Sequence, residues 1–221
     1  MKDLGKEKVF NVASELLDHN AAVRGDKVAV YCGEEKATYR SVLENVNRFA
    51  NVLKELGVKA GDRVMIVLPD SPMFIYAFLG SIKYGAWPIP VNTMLNEEDY
   101  RYMLENSQAK VLVTWSQSKA SPVRPEHFCY KLLDDNEFIT LMDNASTEAE
   151  AHPAREDDIA FWLYSSGSTG KPKGVPHKHI DMIHSADNYG TGVLGIREDD
   201  ICFSVSKLFF AYGLGNGLHI P

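Results

Sequence analysis

Between Val28 and Thr114 short apolar runs alternate with stretches of helical period, a rhythm that restricts the chain to an α/β domain with a mostly parallel sheet flanked by helices. Val28-Ala29-Val30-Tyr31 is the first strand-like run. Val42, Val46, Phe49, Ala50 and Leu53 then recur at the spacing of one helix face, and Gly57 stands where that helix should stop, so they form a core-facing stripe. Val64-Met65-Ile66-Val67-Leu68 is the next strand. Ser71-Pro72 supplies a cap and a first-turn proline to a helix that gathers Ile75, Phe78, Leu79 and Ile82 on one side and ends at Gly85. Pro88-Ile89-Pro90-Val91 reads as a buried, extended edge. Asn96 with Glu97, Glu98 and Asp99 makes an acidic first turn, Leu95 can staple against Tyr100, and Met103 and Leu104 complete the inner face before Val111-Leu112-Val113-Thr114.

From Ser116 to about Asp157 the pattern weakens, with prolines at 122, 125 and 153 and a small, acidic stretch from Asn144 to Glu150. Residues 116–157 therefore read as a variable connecting region without function. Ile159-Ala160-Phe161-Trp162-Leu163-Tyr164 restores a buried strand, and His177 to about Tyr189 reads as the following helix. The 221 residues, 45% hydrophobic and 24% charged, are enough for one large domain or one and a half. A net charge of −7, with no basic cluster longer than the loop described next, argues against a nucleic-acid partner or an anionic membrane surface. Cys32, Cys129 and Cys202 are odd in number and contain no Cys-x-x-Cys, so they read as reduced thiols of a cytoplasmic protein. The N-terminus lacks the apolar core of a signal peptide, and no run approaches the ~18 apolar residues of a membrane span.

Chemistry concentrates in Tyr164-Ser165-Ser166-Gly167-Ser168-Thr169-Gly170-Lys171-Pro172-Lys173-Gly174-Val175. Glycines let backbone N–H groups turn inward, hydroxyls at Ser166, Ser168 and Thr169 add donors, and Lys171 and Lys173 bring positive charge, a composition suited to a polyphosphate. It is not a Walker A loop: Gly167 and Gly170 are too close, and Lys171 precedes Pro172. Gly190-Thr191-Gly192-Val193-Leu194-Gly195 matches Gly-x-Gly-x-x-Gly but follows a helical pattern instead of a strand, which rejects a dinucleotide site. His177, His179 and His184 have no acidic or cysteine partner at ligand spacing, so no metal site is expected, and His177 reads as support for the loop and the helix start.

At residues 164–175 the chain resembles the acyl-adenylate-forming superfamily, which includes acyl- and aryl-CoA ligases, luciferases and peptide-synthetase adenylation domains. Its signature is Tyr/Phe-Thr-Ser-Gly-Thr-Thr-Gly-x-Pro-Lys-Gly-Val, from which Ser165 and Ser168 depart only by loss of a methyl group. The resemblance implies the large adenylate-forming domain, with Ser165, Ser166, Gly167, Ser168, Thr169, Gly170, Lys171, Pro172 and Lys173 around the β- and γ-phosphates of ATP and Lys173 as the charged catalytic contact. ATP, Mg²⁺ and CoA are implied with it.

Lys207-Leu208-Phe209-Phe210-Ala211-Tyr212-Gly213-Leu214-Gly215-Asn216, read alone, is a buried strand turning into a helix. Its position matches the family's next motif, most closely that of benzoate- and 4-hydroxybenzoate-CoA ligases, which implies Phe210 as the gate of the acid pocket and Ala211 and Tyr212 as the wall of a flat slot for a benzene ring. The implied function is ATP-dependent activation of an aromatic carboxylate to acyl-AMP and transfer to CoA. A fatty acyl-CoA synthetase, a stand-alone adenylation domain and a non-catalytic nucleotide-binding fragment are the alternatives. The family's later motifs and its C-terminal domain with the adenylation lysine have no counterpart here, so residues 1–221 are expected to be the N-terminal part of such an enzyme and inactive alone.

Overall fold

The computed structural model describes residues 9–125, 130–166 and 170–221; Cys129 lies outside them. The elements run α1 (Val12–Arg24), β1 (Val28–Cys32), β2 (Glu35–Thr38), α2 (Tyr39–Glu55), β3 (Arg63–Ile66), α3 (Pro72–Tyr84), β4 (Trp87–Pro90), α4 (Glu97–Ser107), β5 (Val111–Val113), β6 (Lys131–Leu133), α5 (Asp135–Asn144), β7 (Ile159–Ser165), β8 (Lys173–Lys178), α6 (His179–Ser185) and α7 (Ala211–Leu214). Wider, π-type turns continue α6 through Ala186–Leu194 and α7 through Gly215–His219.

The central sheet is parallel throughout, in the order β4-β3-β5-β6. Strand residues alternate between its two faces. Val64, Ile66, Val111 and Val113 pack with α1, α2 and α3, whereas Met65, Val67, Ile89 and Leu112 pack with α4 through Tyr100, Met103 and Leu104. Burial on both faces gives the short unbroken apolar runs seen in the sequence. The expected caps form: Ser71 Oγ accepts from Phe74 N, Asn96 Oδ1 accepts from Asp99 N, and Gly85 closes α3 in the left-handed region at φ 92°. The stripe of α2 is buried as expected, and each of its Phe49 and Leu53 side chains contributes ~1.5–3 kcal/mol by leaving water.

Three features differ from the sequence reading. The first strand is not part of the parallel sheet: β1 pairs antiparallel with β2, with Cys32 opposite Glu35 across a turn that holds Gly33 at φ 60°. Strand β2 escaped notice because Ala37 is its one buried residue. Within 116–157, β6 forms an edge strand of the sheet, and α5 packs Phe138 on Phe49 with ring centroids 5.4 Å apart. Finally, β8 separates the loop from α6, so the loop leads into a strand before the helix begins.

Candidate active site

Strands β7 and β8 pair antiparallel, and Phe161 faces His177, Leu163 faces Val175 and Ser165 faces Lys173 across the ladder. Directly opposed residues share a face. These three pairs therefore project to one side, while Trp162 and Tyr164, opposite Pro176 and Gly174, project to the other. The segment between Ser165 and Lys173 is the hairpin's connection, with Gly170 at φ 85°. Of the residues assigned to phosphate, Ser165, Ser166, Gly170, Lys171, Pro172 and Lys173 fall in the described structure, and Gly167, Ser168 and Thr169 lie outside it.

Helix α4 braces the back of the hairpin. The Tyr164 hydroxyl donates to Asn106 Oδ1 at 2.8 Å and lies 3.1 Å from Met103 O, and burial raises the pKa of its phenol. Tyr102 donates to Pro172 O at 3.0 Å, and its ring lies 5.2 Å below the Lys171 ammonium. Lys173 is exposed on the opposite face and makes no ion pair among the described residues. The two lysines of the motif are thus held differently: Lys171 rests on an aromatic ring, and Lys173 stands beside Ser165. Gly174 has a packing role. A Cβ there would stand 1.7 Å from Trp162 Nε1 and 2.0 Å from Cζ2, so this glycine makes room for the indole that stacks on Tyr164.

On the front face lies a cavity of about 360 Å³. Phe161, Leu163 and His177 form its hairpin wall, Asp181, Met182 and Ser185 come from α6, and Ala211, Tyr212, Leu214 and His219 come from the last helical segment. Such a volume falls in the range of small-molecule pockets, and its wall is largely apolar. Ala211 and Tyr212, which the family resemblance assigns to the acid slot, line this cavity. Phe210 is not in the cavity wall; it precedes the first turn of α7, half-exposed, with its ring edge-on to Phe209 at 4.8 Å. Nor is 207–210 a strand. Asp70 anchors that turn, accepting from Leu208 N at 2.9 Å and pairing with Lys207 Nζ at 3.3 Å. Gly213 packs directly onto it, since a Cβ would stand 2.0 Å from Lys207 O.

Sequence reasoning missed most of the α6 wall and His219. His177 was assigned a supporting role, and the structure shows how it is held: the ring stacks on Phe161 at 4.7 Å, and Nδ1 lies 3.8 Å from Asp181 Oδ2. Burial lowers its pKa. His179, buried at the start of α6, accepts from Val12 N through Nδ1 at 3.1 Å, and burial pulls its pKa down to about 4. His219 is likewise lowered to about 4, by burial and then by His177.

These depressed values set a pH dependence of stability. Below the unfolded-state pKa near 6.5 the unfolded chain takes up protons that the folded chain refuses, so stability is full above that pH and declines as pH falls from 6.5 toward 4. Denaturant titrations at pH 7.5 and 4.5 should differ by about 1–3 kcal/mol per buried histidine, and His179→Gln should narrow the gap. An unchanged gap in that variant would show that protonation of His179 is not resisted by the fold.

Residues 17–221 match the family model described as AMP-binding enzyme. The chain is 43% identical to the benzoate–CoA ligase of Thauera aromatica, the match covering 96% of this chain and 42% of the relative. It is 38% identical to the 4-hydroxybenzoate–CoA/benzoate–CoA ligase of Rhodopseudomonas palustris, over 96% of this chain and 41% of that one. Among solved structures, a benzoate CoA ligase from Burkholderia xenovorans superposes with a TM-score of 0.89 at 37% identity, covering 96% of this chain and 43% of that one. An anthranilate CoA ligase in complex with anthranoyl-AMP gives 0.87 at 31% identity, covering all of this chain and 45% of its own. The chain thus spans less than half the length of the relatives it matches.

Proposed function

The chain belongs to the AMP-binding enzyme family, and on that premise we propose that its hairpin and cavity activate an aromatic carboxylic acid with ATP for transfer to CoA. The observation that carries this reading is the shared face of β7 and β8. Leu163 lines the cavity, and Ser165 with its partner Lys173 projects on the same side about 7 Å further along the strand. A ring held against Phe161, Leu163 and Ala211 would direct its carboxylate along that face toward the phosphates. The carboxylate oxygen attacks the α-phosphorus, the bond to the β-phosphate oxygen breaks, and pyrophosphate leaves with the bonding electrons. The Lys173 ammonium and the Ser165 hydroxyl stabilise the charge that develops on it. The CoA thiol then displaces AMP from the acyl-adenylate, giving the thioester.

Magnesium enters this reading with the nucleotide, as a counter-ion of the phosphates. Among the described residues no group of three or more His, Cys, Asp or Glu could hold a metal ion, and Ser165 and Lys173 act on phosphate oxygens. No helix among the described residues is long and apolar enough to cross a membrane; dependence on ATP and CoA supports a cytoplasmic setting.

The test joins these 221 residues in frame to the remaining part of the Thauera aromatica enzyme. Benzoyl-CoA should form from benzoate, ATP and CoA. Thioester formation from a medium-chain fatty acid but not from benzoate would replace this reading with an acyl-chain ligase. Within the same protein, Ala211→Leu adds three carbons to the cavity wall, which typically costs ~1–3 kcal/mol in a packed site. Benzoate turnover should fall about tenfold while the KM for ATP stays unchanged. Equal benzoate turnover in the two proteins would remove Ala211 from the acid pocket.

A further inference from the structure

Helix α7 supplies Ala211, Tyr212 and Leu214 to the cavity yet is only four residues long, and no side chain caps its N-terminus. So short a helix has no stability of its own, and its place is set by what holds the chain before it. Leu208 and Phe209 are buried in the core, at 8% and 6% exposure, but apolar burial has no direction and does not fix the orientation of the turn. Direction comes from Asp70. Among the described residues, both polar contacts of residues 207–214 with a distant part of the chain end on its carboxylate: Oδ1 accepts from Leu208 N at 2.9 Å, and Oδ2 lies 3.3 Å from Lys207 Nζ. The two differ in weight. The ion pair is largely open to solvent, with the Lys207 side chain 58% exposed, and such pairs contribute little. The bond from the part-buried Leu208 N–H is charge-assisted and strict in its geometry.

Asp70 follows β3, an inner strand of the parallel sheet, and stands one residue before Ser71, the N-cap of α3, so its carboxylate is carried by the body of the domain and does not line the cavity. From Leu208 the constraint passes through two further bonds: Lys207 O accepts from Phe210 N at 3.0 Å, and Phe210 O accepts from Leu214 N at 2.8 Å. Freed from Asp70, the turn can rotate, and Ala211 and Tyr212 rotate with it. We propose that Asp70 is a positioning residue for the acid pocket, setting the place of Ala211 and Tyr212 through Leu208 N without touching the acid; the inference rests on the assignment of this cavity to the aromatic acid.

Calorimetric titration of the 221-residue protein with benzoate and, separately, with ATP tests it. Asp70→Ala should weaken benzoate binding about tenfold and leave that of ATP within about twofold of the unaltered protein. Asp70→Asn, which keeps an acceptor for Leu208 N and discards the ion pair, should restore benzoate binding to within about twofold. Unchanged benzoate affinity in Asp70→Ala would overturn the proposal, as would a parallel loss of both ligands, the mark of a general loss of structure. Benzoate binding as weak in Asp70→Asn as in Asp70→Ala would show that Leu208 N is not the contact through which Asp70 acts, and would overturn it too. Failure of the unaltered protein to bind benzoate at millimolar concentration would instead overturn the aryl pocket, and this inference with it. Should Asp70→Ala not fold, Asp70→Glu decides, since it keeps the charge and moves it by one methylene: selective weakening of benzoate binding supports the proposal, and unchanged affinity overturns it.

Discussion

Lys173→Ala should slow pyrophosphate–ATP exchange by ~10²-fold or more in the joined, relative-length enzyme, because a fixed cation opposite the leaving pyrophosphate contributes a few kcal/mol to the transition state. The comparison with Lys171→Ala is the informative one. Lys171 is already positioned over the Tyr102 ring, so its loss should loosen the hairpin connection more than the chemistry and cost about tenfold or less. Lys173 stands beside Ser165 on the face shared with the cavity liners, where, in the proposed reaction, its charge would face the nucleotide. Near-normal exchange in Lys173→Ala, combined with loss in Lys171→Ala, would reverse the two roles.

Gly213→Ala should be strongly destabilising in α7, the short helix that supplies Ala211, Tyr212 and Leu214 to the cavity wall. Its methyl group would meet Lys207 O at 2.0 Å, Lys207 C at 2.5 Å and Ser206 O at 2.6 Å, all of them backbone. No rotamer change can relieve a clash with a main chain. Either the bond from Phe210 N to Lys207 O at 3.0 Å must open, or α7 must move away from the turn that Asp70 anchors. A loss of ~3 kcal/mol is expected, which for a domain of this size is a fall of roughly 6–12 °C in Tm by scanning calorimetry. Aryl-acid binding should weaken in parallel, since Ala211 and Tyr212 lie in the same short helix. An unaltered Tm would mean that the turn is more compliant than its packing implies.

What could be read from the sequence, and what could not, follows from how each element is specified. Helices α2, α3 and α4 were legible because each carries both a periodic apolar face and a local boundary signal, Gly57 past the end of α2, Ser71 and Gly85 around α3, and Asn96 before α4. The strands β3, β5 and β7 were legible as short apolar runs. Strand β8 was not, because Lys173, Gly174, Pro176, His177 and Lys178 show no apolar alternation, and only pairing with β7 makes the segment extended. Strand β6 is likewise defined by its ladder with β5 over three residues.

The same distinction runs through the site. The loop stood out by composition, and the pair Ala211–Tyr212 only through resemblance to the family's motif. The contributions of Asp181, Ser185 and His219 depend on α6 and the final helical turns being folded against the hairpin, and nothing in their local sequence announces it. Phe210, which the same motif assigns as the gate, does not line the cavity; α7 begins immediately after it, and its ring stands edge-on to Phe209.

The contact between Trp162 and Gly174 has a consequence for inheritance. A slip of β8 by one residue along β7 would turn the side chains of β8 to the other face, carrying Lys173 toward α4 while Ser165 stayed in front, and so would part the two. The indole seated over a residue without a side chain is a fit that only one alignment of the two strands provides. Positions 162 and 174 should therefore drift together among descendants of this chain: a side chain gained at 174 would persist only where the aromatic at 162 has shrunk, even though neither residue touches a substrate.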